Sequence, residues 1–346
     1  MALDRRSFLK LGGAAAGAAA FGGLAPMPAR ADTTLTGVTY LPPSYKALSY
    51  GSNGFVEKLK AAVPDGVSVD FYDSGKLLTA DEQLPALRSG NIDFMFHTTS
   101  YITRSIPILG ITGLPGVVEA LYEHPDRLAD GSPLFELVNE RLAEDDLVMI
   151  SGGGNILEPE YLWSTAKSPI GSIADIDGKK IRVVSFEATK VIEEFGGAAV
   201  RIPSSELYLA LQRGTVDAGV MNISTVIGRS LQEQLGTVYK LPITGFGIGV
   251  FVERRRWEKM DEGVKQAMRE AGEWFNAEGA KVPNETIYPE EFWPIIEEAG
   301  IEVVEPGEED IAKLDAAAEG VVASWKEEVG EEVGSRAIAL ALGEAS

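Results

Sequence analysis

The sequence predicts an α/β protein built from two similar lobes, and three observations predict it. Stretches with strand-like and helix-like patterns alternate in two separate series along the chain. The signature Ala-Leu-x-x-Gly-x-(Ile/Val)-Asp occurs at residues 86–93 and again at 210–217. The 346-residue chain is long enough for one large domain or two ordinary ones. Alternating strands and helices are typical of mostly parallel sheets covered by helices.

The first series follows a β-α-β-α-β order. The strands are predicted in TLTGVTY, VSVDFYDS and NIDFMFH, where apolar residues alternate with polar ones or form a short apolar run. The helices are predicted in GSNGFVEKLKAAV and TADEQLPALRSG. Thr79 is placed to cap the second helix and Gly90 to end it.

The second series repeats this order. Its strands are predicted in KKIRVVS, AAVRIP and TVDAGVM, and its helices in FEATKVIEEFG and SSELYLALQRG. In each copy of the signature, Ala-Leu is predicted in the last helical turn, and Gly90 or Gly214 is predicted as its left-handed end. Such corners also recur by chance, so the motif alone is weak evidence. The matching flanks favour one α/β unit present in each lobe.

The rest of the chain is predicted to be largely helical. RWEKMDEGVKQAMREAGEWFNAEGAKV predicts one long amphipathic helix, and YPEEFWPIIEEAG and EEDIAKLDAAAEGVVASWKEEVG predict two more. Before them, VYKLPITGFGIGVFVE has strand-like ends around a glycine-rich middle. We interpret that stretch as a crossing back to the first lobe.

The N-terminus resembles an export signal. Arg5 and Arg6 precede Ser-Phe-Leu-Lys, a twin-arginine pattern, and a Gly/Ala-rich run leads to a small-x-small cleavage sequence at 29–31. Glycines and prolines make this run a poor membrane span, which disfavours the alternative of an anchored N-terminus. We therefore expect residues 1–31 to be a cleaved signal peptide, with cleavage near Ala31, and the protein to work in the periplasm.

Composition narrows the function classes. The chain carries 52 acidic and 31 basic side chains, a net charge of −21, which disfavours nucleic acid as a partner. It has no cysteine and only two histidines, His97 and His124, so metal centres and nucleophilic triads are disfavoured. SGGGN lacks the dinucleotide-binding spacing. We expect no cofactor and no metal, while paired catalytic carboxylates stay open.

A ligand site is predicted between the lobes, because ligands of open α/β sheets bind beyond the carboxyl ends of the strands. Arg182 is its leading residue. It alternates with Ile181 and Val183 in an apolar strand, and its guanidinium matches a carboxylate with two parallel hydrogen bonds. The spacing equally allows a structural ion pair with Glu187 or Glu206. The full set of predicted ligand-binding residues is Arg182, Tyr40, Ser44, Tyr45, His97, Thr98, Ser100, Asn155, Met221, Asn222 and Phe246.

Several stretches resemble a known family. GSIADIDGKKIRVVS and RIPSSELYLALQRGTVDAGVMN are similar to second-lobe motifs of solute-binding proteins of TRAP (tripartite ATP-independent periplasmic) transporters, the dicarboxylate- and sialate-binding, DctP-like family. SGKLLTADEQLPALRSGNIDFMF and GLPGV resemble its first-lobe motifs. The resemblance implies the two-lobed periplasmic binding protein fold, with mixed, mostly parallel sheets and a long helix bracing both lobes. It suggests lobe 1 at 32–158 plus 246–284, and lobe 2 at 159–245 plus 285–346.

The resemblance also implies a function. Such a protein is a monomer that captures a small organic acid anion by closing its cleft and delivers it to the small and large membrane permease subunits. Arg182 matches the arginine that pairs with the ligand carboxylate. Leu162 stands where sialate-binding relatives have a second arginine, and Val220-Met221 replace the Glu-Trp of some metal-assisted relatives. Dicarboxylates, keto acids, sugar acids and sulfonates stay open as ligands.

Two other functions fit the same cleft. A periplasmic lyase or isomerase acting on a small carboxylic acid would use paired carboxylates. A protein that presents its ligand to a sensor would need no membrane transport subunits.

Overall fold

The computed structural model describes residues 33–152 and 156–344. The predicted signal peptide and Asn155 lie outside these residues. The described strands are β1 (Thr33–Thr39), β2 (Val67–Tyr72), β3 (Phe94–Thr98), β4 (Leu147–Ser151), β5 (Ile156–Ser164), β6 (Lys180–Val183), β7 (Ala198–Arg201), β8 (Ala218–Met221), β9 (Thr237–Glu253) and β10 (Glu302–Val304).

Helices surround these strands. The described α-helices are α1 (Lys46–Ala62), α2 (Ala80–Arg88), α3 (Val118–Glu123), α4 (Pro133–Leu142), α5 (Phe186–Glu194), α6 (Ser204–Gln212), α7 (Ile223–Gly228), α8 (Arg254–Lys259), α9 (Glu262–Glu278), α10 (Trp293–Glu298), α11 (Glu308–Val329) and α12 (Glu331–Leu342). Short 3₁₀ turns lie at Thr99–Tyr101, Pro107–Thr112, Pro125–Leu128, Ala143–Asp145, Ile173–Ile176 and Leu231–Glu233, and a π-helical segment lies at Pro283–Phe292. No helix among the described residues is both long and apolar enough to cross a membrane.

The strands form a mixed sheet in the order β2-β1-β3-β9-β5-β8-β6-β7, and β4 and β10 also pair with β9. In the first lobe, β1 pairs in parallel with β2 and β3; in the second lobe, β6 pairs in parallel with β7 and β8. The antiparallel pairs are β9 with β3, β4 and β5, and β5 with β8. The predicted fold class, two α/β lobes with mixed sheets, is confirmed.

The repeated corner has the same structure in both lobes. Gly90 and Gly214 have φ of +73° and +68°, the left-handed conformation that favours glycine at a helix end. Each following aspartate accepts a backbone N–H of a neighbouring strand. The Asp93 carboxylate accepts the Thr36 N–H at 2.7 Å, and Asp217 accepts the Lys180 N–H at 2.9 Å. The aspartate of the motif therefore fixes the strand next to its own.

The interpretation of residues 238–253 as two strand ends around a glycine-rich middle was wrong. β9 is one continuous strand of 17 residues. Its first part pairs with β5 and its last part with β3 and β4. A side chain at Gly245 would lie 1.9 Å from the Thr112 carbonyl oxygen, so glycine here permits close approach to a first-lobe turn. β9 thus belongs to both lobes.

The prediction of one uninterrupted helix across residues 256–282 was also wrong. The helix breaks at Met260, because the Asp261 carboxylate accepts the Gly263 N–H at 2.8 Å and starts a new helix, α9. The signal for this break, an aspartate followed by a glutamate, was present in the sequence.

The helical run that starts with α9 braces both lobes. On the first lobe, the Phe275 ring of α9 makes edge contacts with Phe55 and Phe96. After the π-helical segment, the Trp293 ring of α10 stacks on Trp163 of β5, with centroids 5.9 Å apart. The expected brace is therefore confirmed, although it bends.

The last two helices also pack on different elements. α11 lies against α5, and α12 lies against α3 and α4. The exact partition of the chain into lobes, including residues 285–346, stays a prediction.

Candidate functional site

The centre of the candidate site is the buried guanidinium of Arg182, only 1% exposed. Its Nε donates to the Ile202 carbonyl at 2.9 Å and its Nη1 to the Val220 carbonyl at 3.0 Å. Its Nη2 donates to the Tyr101 hydroxyl at 3.1 Å. Each terminal nitrogen carries a second hydrogen, so one donor on each remains for a ligand carboxylate.

Within the described part of the chain, no carboxylate forms a direct ion pair with this guanidinium. The ion pairs found there within 4.0 Å do not include Arg182. Its three partners are neutral oxygens, which orient the side chain without cancelling its charge. The alternative of a direct structural ion pair with Glu187 or Glu206 is therefore not the geometry observed. A buried positive charge of this kind favours an anionic ligand.

Tyr101 connects the two lobes at this point. Its hydroxyl oxygen accepts from Arg182 and also from the backbone N–H of Ser204 at 2.8 Å, at the start of α6. Tyr101 belongs to the turn after β3 in the first lobe, whereas Arg182 and Ser204 belong to the second. The contact therefore forms only when the lobes are together.

Further bonds join the lobes around this contact. Arg201 pairs with Asp81 at 2.7 Å, and Arg104 donates to the Thr189 hydroxyl at 2.9 Å. The Ser44 hydroxyl donates to the Gly228 carbonyl at 2.8 Å. The structure is therefore a closed form of the two lobes.

Two glutamates, Glu160 and Glu187, are also buried. The Glu160 carboxylate accepts the Thr244 hydroxyl at 2.9 Å, and burial raises its pKa to about 7, although the nearby Arg182 charge opposes the rise. Burial also raises the pKa of Glu187 to about 7. Neither oxygen of Glu187 has a hydrogen-bond partner within the described residues. Both acids are therefore far more basic than exposed glutamates.

The mouth of the cleft contains a cavity of about 100 Å³. Side chains from both lobes line it, including Tyr40, Tyr101, Ser204 and Arg229. The Arg229 guanidinium lies 5.3 Å from the centre of the Tyr45 ring and donates to the Tyr45 hydroxyl at 3.3 Å. A second cation therefore stands at the entrance.

Several predicted residues gather around this mouth. The Tyr40 and Thr98 hydroxyls are 2.8 Å apart, and the Tyr40 ring lies 5.1 Å from the Tyr101 ring. Tyr45 contacts Arg229 as described above, and Ser44 joins the lobes through its hydroxyl. The Ser100 hydroxyl is buried and has no hydrogen-bond partner within the described residues. It is available to a ligand oxygen.

Other predicted residues form hydrogen bonds with the protein's own backbone in this structure. Both ring nitrogens of His97 lie 3.0 Å from backbone carbonyl oxygens, those of Thr98 and Ala80. Burial lowers the pKa of His97 and favours the neutral ring. Asn222 caps α7, and its side chain accepts the Ser224 N–H at 2.8 Å. Their role as ligand contacts stays a prediction.

Met221 and Phe246 are both buried strand residues. The Met221 carbonyl accepts the Trp163 indole N–H at 2.9 Å, and Phe246 pairs in register with Leu157. These two residues therefore lie on the strands β8 and β9, and their contact with a ligand also stays a prediction.

Sequence reasoning missed three residues of the site: Glu160, Arg229 and Thr244. Tyr101 belongs to the polar loop HTTSY, whose hydroxyls the sequence indicates as hydrogen-bond partners of a ligand, and the structure places it beside Arg182. Glu160 and Thr244 lie in β5 and β9, two stretches without a clear strand pattern. Because their pairing joins segments 84 residues apart, local patterns gave no signal for it.

Comparison with known proteins identifies the family. A profile of the bacterial extracellular solute-binding protein family 7, DctP, matches residues 41–328. The chain belongs to this family. The resemblance to solute-binding proteins of TRAP transporters is thereby confirmed.

Individual members of the DctP family are distant in sequence. A solute-binding protein of Chromohalobacter salexigens is 28% identical over 242 residues, which cover 67% of this chain and 68% of that protein. One of Albidiferax ferrireducens is 26% identical over 184 residues, and the match spans about half of each protein (52% and 51%).

Solved structures confirm the shared fold. The Bordetella pertussis receptor DctP7, which binds pyroglutamic acid, superposes with a TM-score of 0.77 at 18% identity over 89% of this chain and 99% of that one. A TRAP periplasmic solute-binding protein of Chromohalobacter salexigens with bound D-glucuronate also superposes with a TM-score of 0.77. It is 21% identical over 90% of this chain and all of the other.

The arrangement around Arg182 can bind an anion. Within residues 33–152 and 156–344, no group of three or more histidines, cysteines or acids is placed to hold a metal ion. Arg182 and the hydroxyls around it can bind an anion and hold it between the lobes. The family is one of substrate-binding receptors.

Proposed function

We propose that this chain is the periplasmic substrate-binding subunit of a TRAP transporter and that it captures a small organic acid anion. The observation that carries the proposal is the buried Arg182, which has no carboxylate partner in the described part of the chain and keeps a donor on each terminal nitrogen. Pyroglutamate and glucuronate, the ligands of the two similar solved proteins, both contain a carboxylate.

The proposed mechanism is closure of the lobes around the anion. The ligand carboxylate would bind Arg182 of the second lobe while first-lobe groups such as Tyr40, Thr98 and Ser100 contact its other end. Only the closed form offers both sets of contacts, so the ligand shifts the population toward closure. The bonds from Tyr101 to Arg182 and Ser204 support this, because they join the lobes beside the proposed anchor.

Further details belong to the same proposal. Residues 1–31 would direct export by the twin-arginine route, with cleavage near Ala31. The mature protein would be a monomer that delivers its ligand to the membrane permease subunits and catalyses no reaction. The lobes would comprise 32–158 with 246–284, and 159–245 with 285–346. The passage of β9 from one lobe to the other supports a boundary near residue 246.

The test uses the purified mature protein with a library of carboxylic acids, screened by thermal shift and measured by isothermal titration calorimetry. We expect Arg182→Lys to weaken binding of the best carboxylate by at least about 30-fold, because a point charge cannot replace the bidentate fork. Urea unfolding would show that the variant is folded.

Arg201→Lys is the matched control. Arg201 also joins the lobes through a carboxylate, but it is partly exposed at 36% of its side chain. Its exposed pair contributes little, about 0–1 kcal/mol, so the affinity should change less than about fivefold. If Arg182→Lys bound the carboxylate with unchanged affinity, the role of Arg182 as the ligand anchor would be refuted. If the ligand were recovered chemically altered after incubation, this result would instead support the alternative of a periplasmic lyase or isomerase.

A further inference from the structure

The interior of the closed cleft holds unequal numbers of buried acids and bases. Among the described residues, Arg182 is the only lysine or arginine with a fully buried side chain. Glu160 and Glu187 are also buried, at 2% and 1% exposed. The two acids lie within electrostatic reach of each other, and Glu160 also lies within reach of Arg182. A ligand bound to Arg182 therefore lies near the buried acid Glu160, and Glu187 adds a second negative charge near Glu160.

Glu160 has an oxygen to offer to a ligand. Thr244 donates to one of its carboxylate oxygens, Oε2, at 2.9 Å. Among the residues that the structure describes, no hydrogen bond reaches the other oxygen, Oε1. Glu160 stands opposite Thr244 in the pairing of β5 with β9. The next residue of β9, Gly245, packs against the first-lobe Thr112, so Glu160 lies where the two lobes meet.

The charge balance discriminates between ligand classes. A ligand carboxylate bound to Arg182 neutralises the positive charge of the guanidinium. Glu160 then loses the cation that stabilises its own negative charge. A dianion would then add a further negative charge near Glu160. A ligand that also carries a positive nitrogen pairs both charges of the site, since a buried charge is costly unless it is paired.

We propose that the ligand of this cleft is zwitterionic, an amino-acid-like molecule whose carboxylate binds Arg182 and whose cationic nitrogen donates to Glu160. The inference rests on the proposed function, because it names the substrate class of the same site. It assigns Glu160 as the residue that selects amino acids over diacids.

The test compares ligands of equal length that differ in one terminal group. β-Alanine and succinate form one pair, and 4-aminobutanoate and glutarate form another; in each pair, an ammonium replaces a carboxylate. Isothermal titration calorimetry on the mature protein should show that the amino acid of at least one pair binds at least tenfold tighter than its diacid. Glu160→Gln should weaken the amino acid by at least about 30-fold and leave the diacid equal or tighter.

Glu158→Gln is the matched control, since it removes an acid from the same strand. Glu158 is buried but accepts from the Trp293 indole N–H at 3.2 Å, away from Arg182. This variant should keep the preference of the wild type. Diacids that bind tighter than amino acids in both pairs, with a ratio unchanged by Glu160→Gln, would overturn the inference and leave the proposed function standing. A wild type that binds no carboxylate of the pairs or the wider library would overturn both.

Discussion

Replacement of Glu187 by glutamine should change how the stability of the protein depends on pH. Burial raises the pKa of Glu187 from its ordinary value of 4.5 to about 7, and Arg104 and neighbouring hydroxyls oppose this only in part. A carboxyl group whose pKa is higher in the folded state binds more protons there than in the unfolded state. Its contribution to stability is therefore favourable at low pH and is lost as the pH rises from about 4.5 to about 7.

The magnitude follows from the shift. Each pKa unit corresponds to about 1.4 kcal/mol, so ionised Glu187 lowers the free energy of unfolding by roughly 3 kcal/mol at pH 8. Part of this loss is already present at pH 5, which leaves a change of about 2–3 kcal/mol between pH 5 and pH 8. Glutamine cannot ionise, so the variant lacks this loss. The cost of burying an amide without partners, about 1–3 kcal/mol, is independent of pH and cancels in the comparison.

The assay is urea unfolding of both proteins at pH 5, 6, 7 and 8, followed by circular dichroism. The difference in the free energy of unfolding, variant minus wild type, should increase by about 2–3 kcal/mol across this range. Glu319→Gln, on the exposed face of α11, is the matched control and should change the free energy of unfolding by less than about 0.5 kcal/mol. If the Glu187→Gln difference stays constant with pH, then Glu187 is solvated in solution and the reasoning from its burial fails.

Two further substitutions test the corner and the contact between the lobes by urea unfolding. Gly214→Ala should lower the free energy of unfolding by about 1–2 kcal/mol because of its φ of +68°. Gly320→Ala, within helix α11, should raise it by about 0.5–1 kcal/mol; equal effects would contradict the backbone explanation. Tyr101→Phe should cost about 1–3 kcal/mol because two buried N–H donors lose their acceptor. The exposed Tyr50→Phe should cost under about 0.5 kcal/mol, and a similar loss in both would refute the role of the Tyr101 hydroxyl.

The features that the sequence predicted well are those set by neighbouring residues. The corners at Gly90 and Gly214 depend on a helix end and the next few residues, so the motif suffices to predict them. Arg182 was found because a charged residue interrupts an apolar strand, a pattern that occupies only three positions. Local chemistry decides these features, and distant contacts only reinforce them.

The features that escaped prediction are set by contacts between distant segments. Tyr101 and Arg182 meet across 81 residues, and no local pattern encodes that meeting. β9 was misread because glycine usually weakens a strand. At Gly245 the approach of a first-lobe turn requires glycine inside a strand, so tertiary packing outweighed the local preference.

The unbroken course of β9 determines how the cleft can open. The backbone of this strand is hydrogen-bonded to strands of both lobes. The lobes are therefore not joined by a flexible linker at this point. Separation of the lobes must therefore bend or twist β9 itself. The course of this strand thus couples the geometry of the sheet to the distance between the two walls of the cleft.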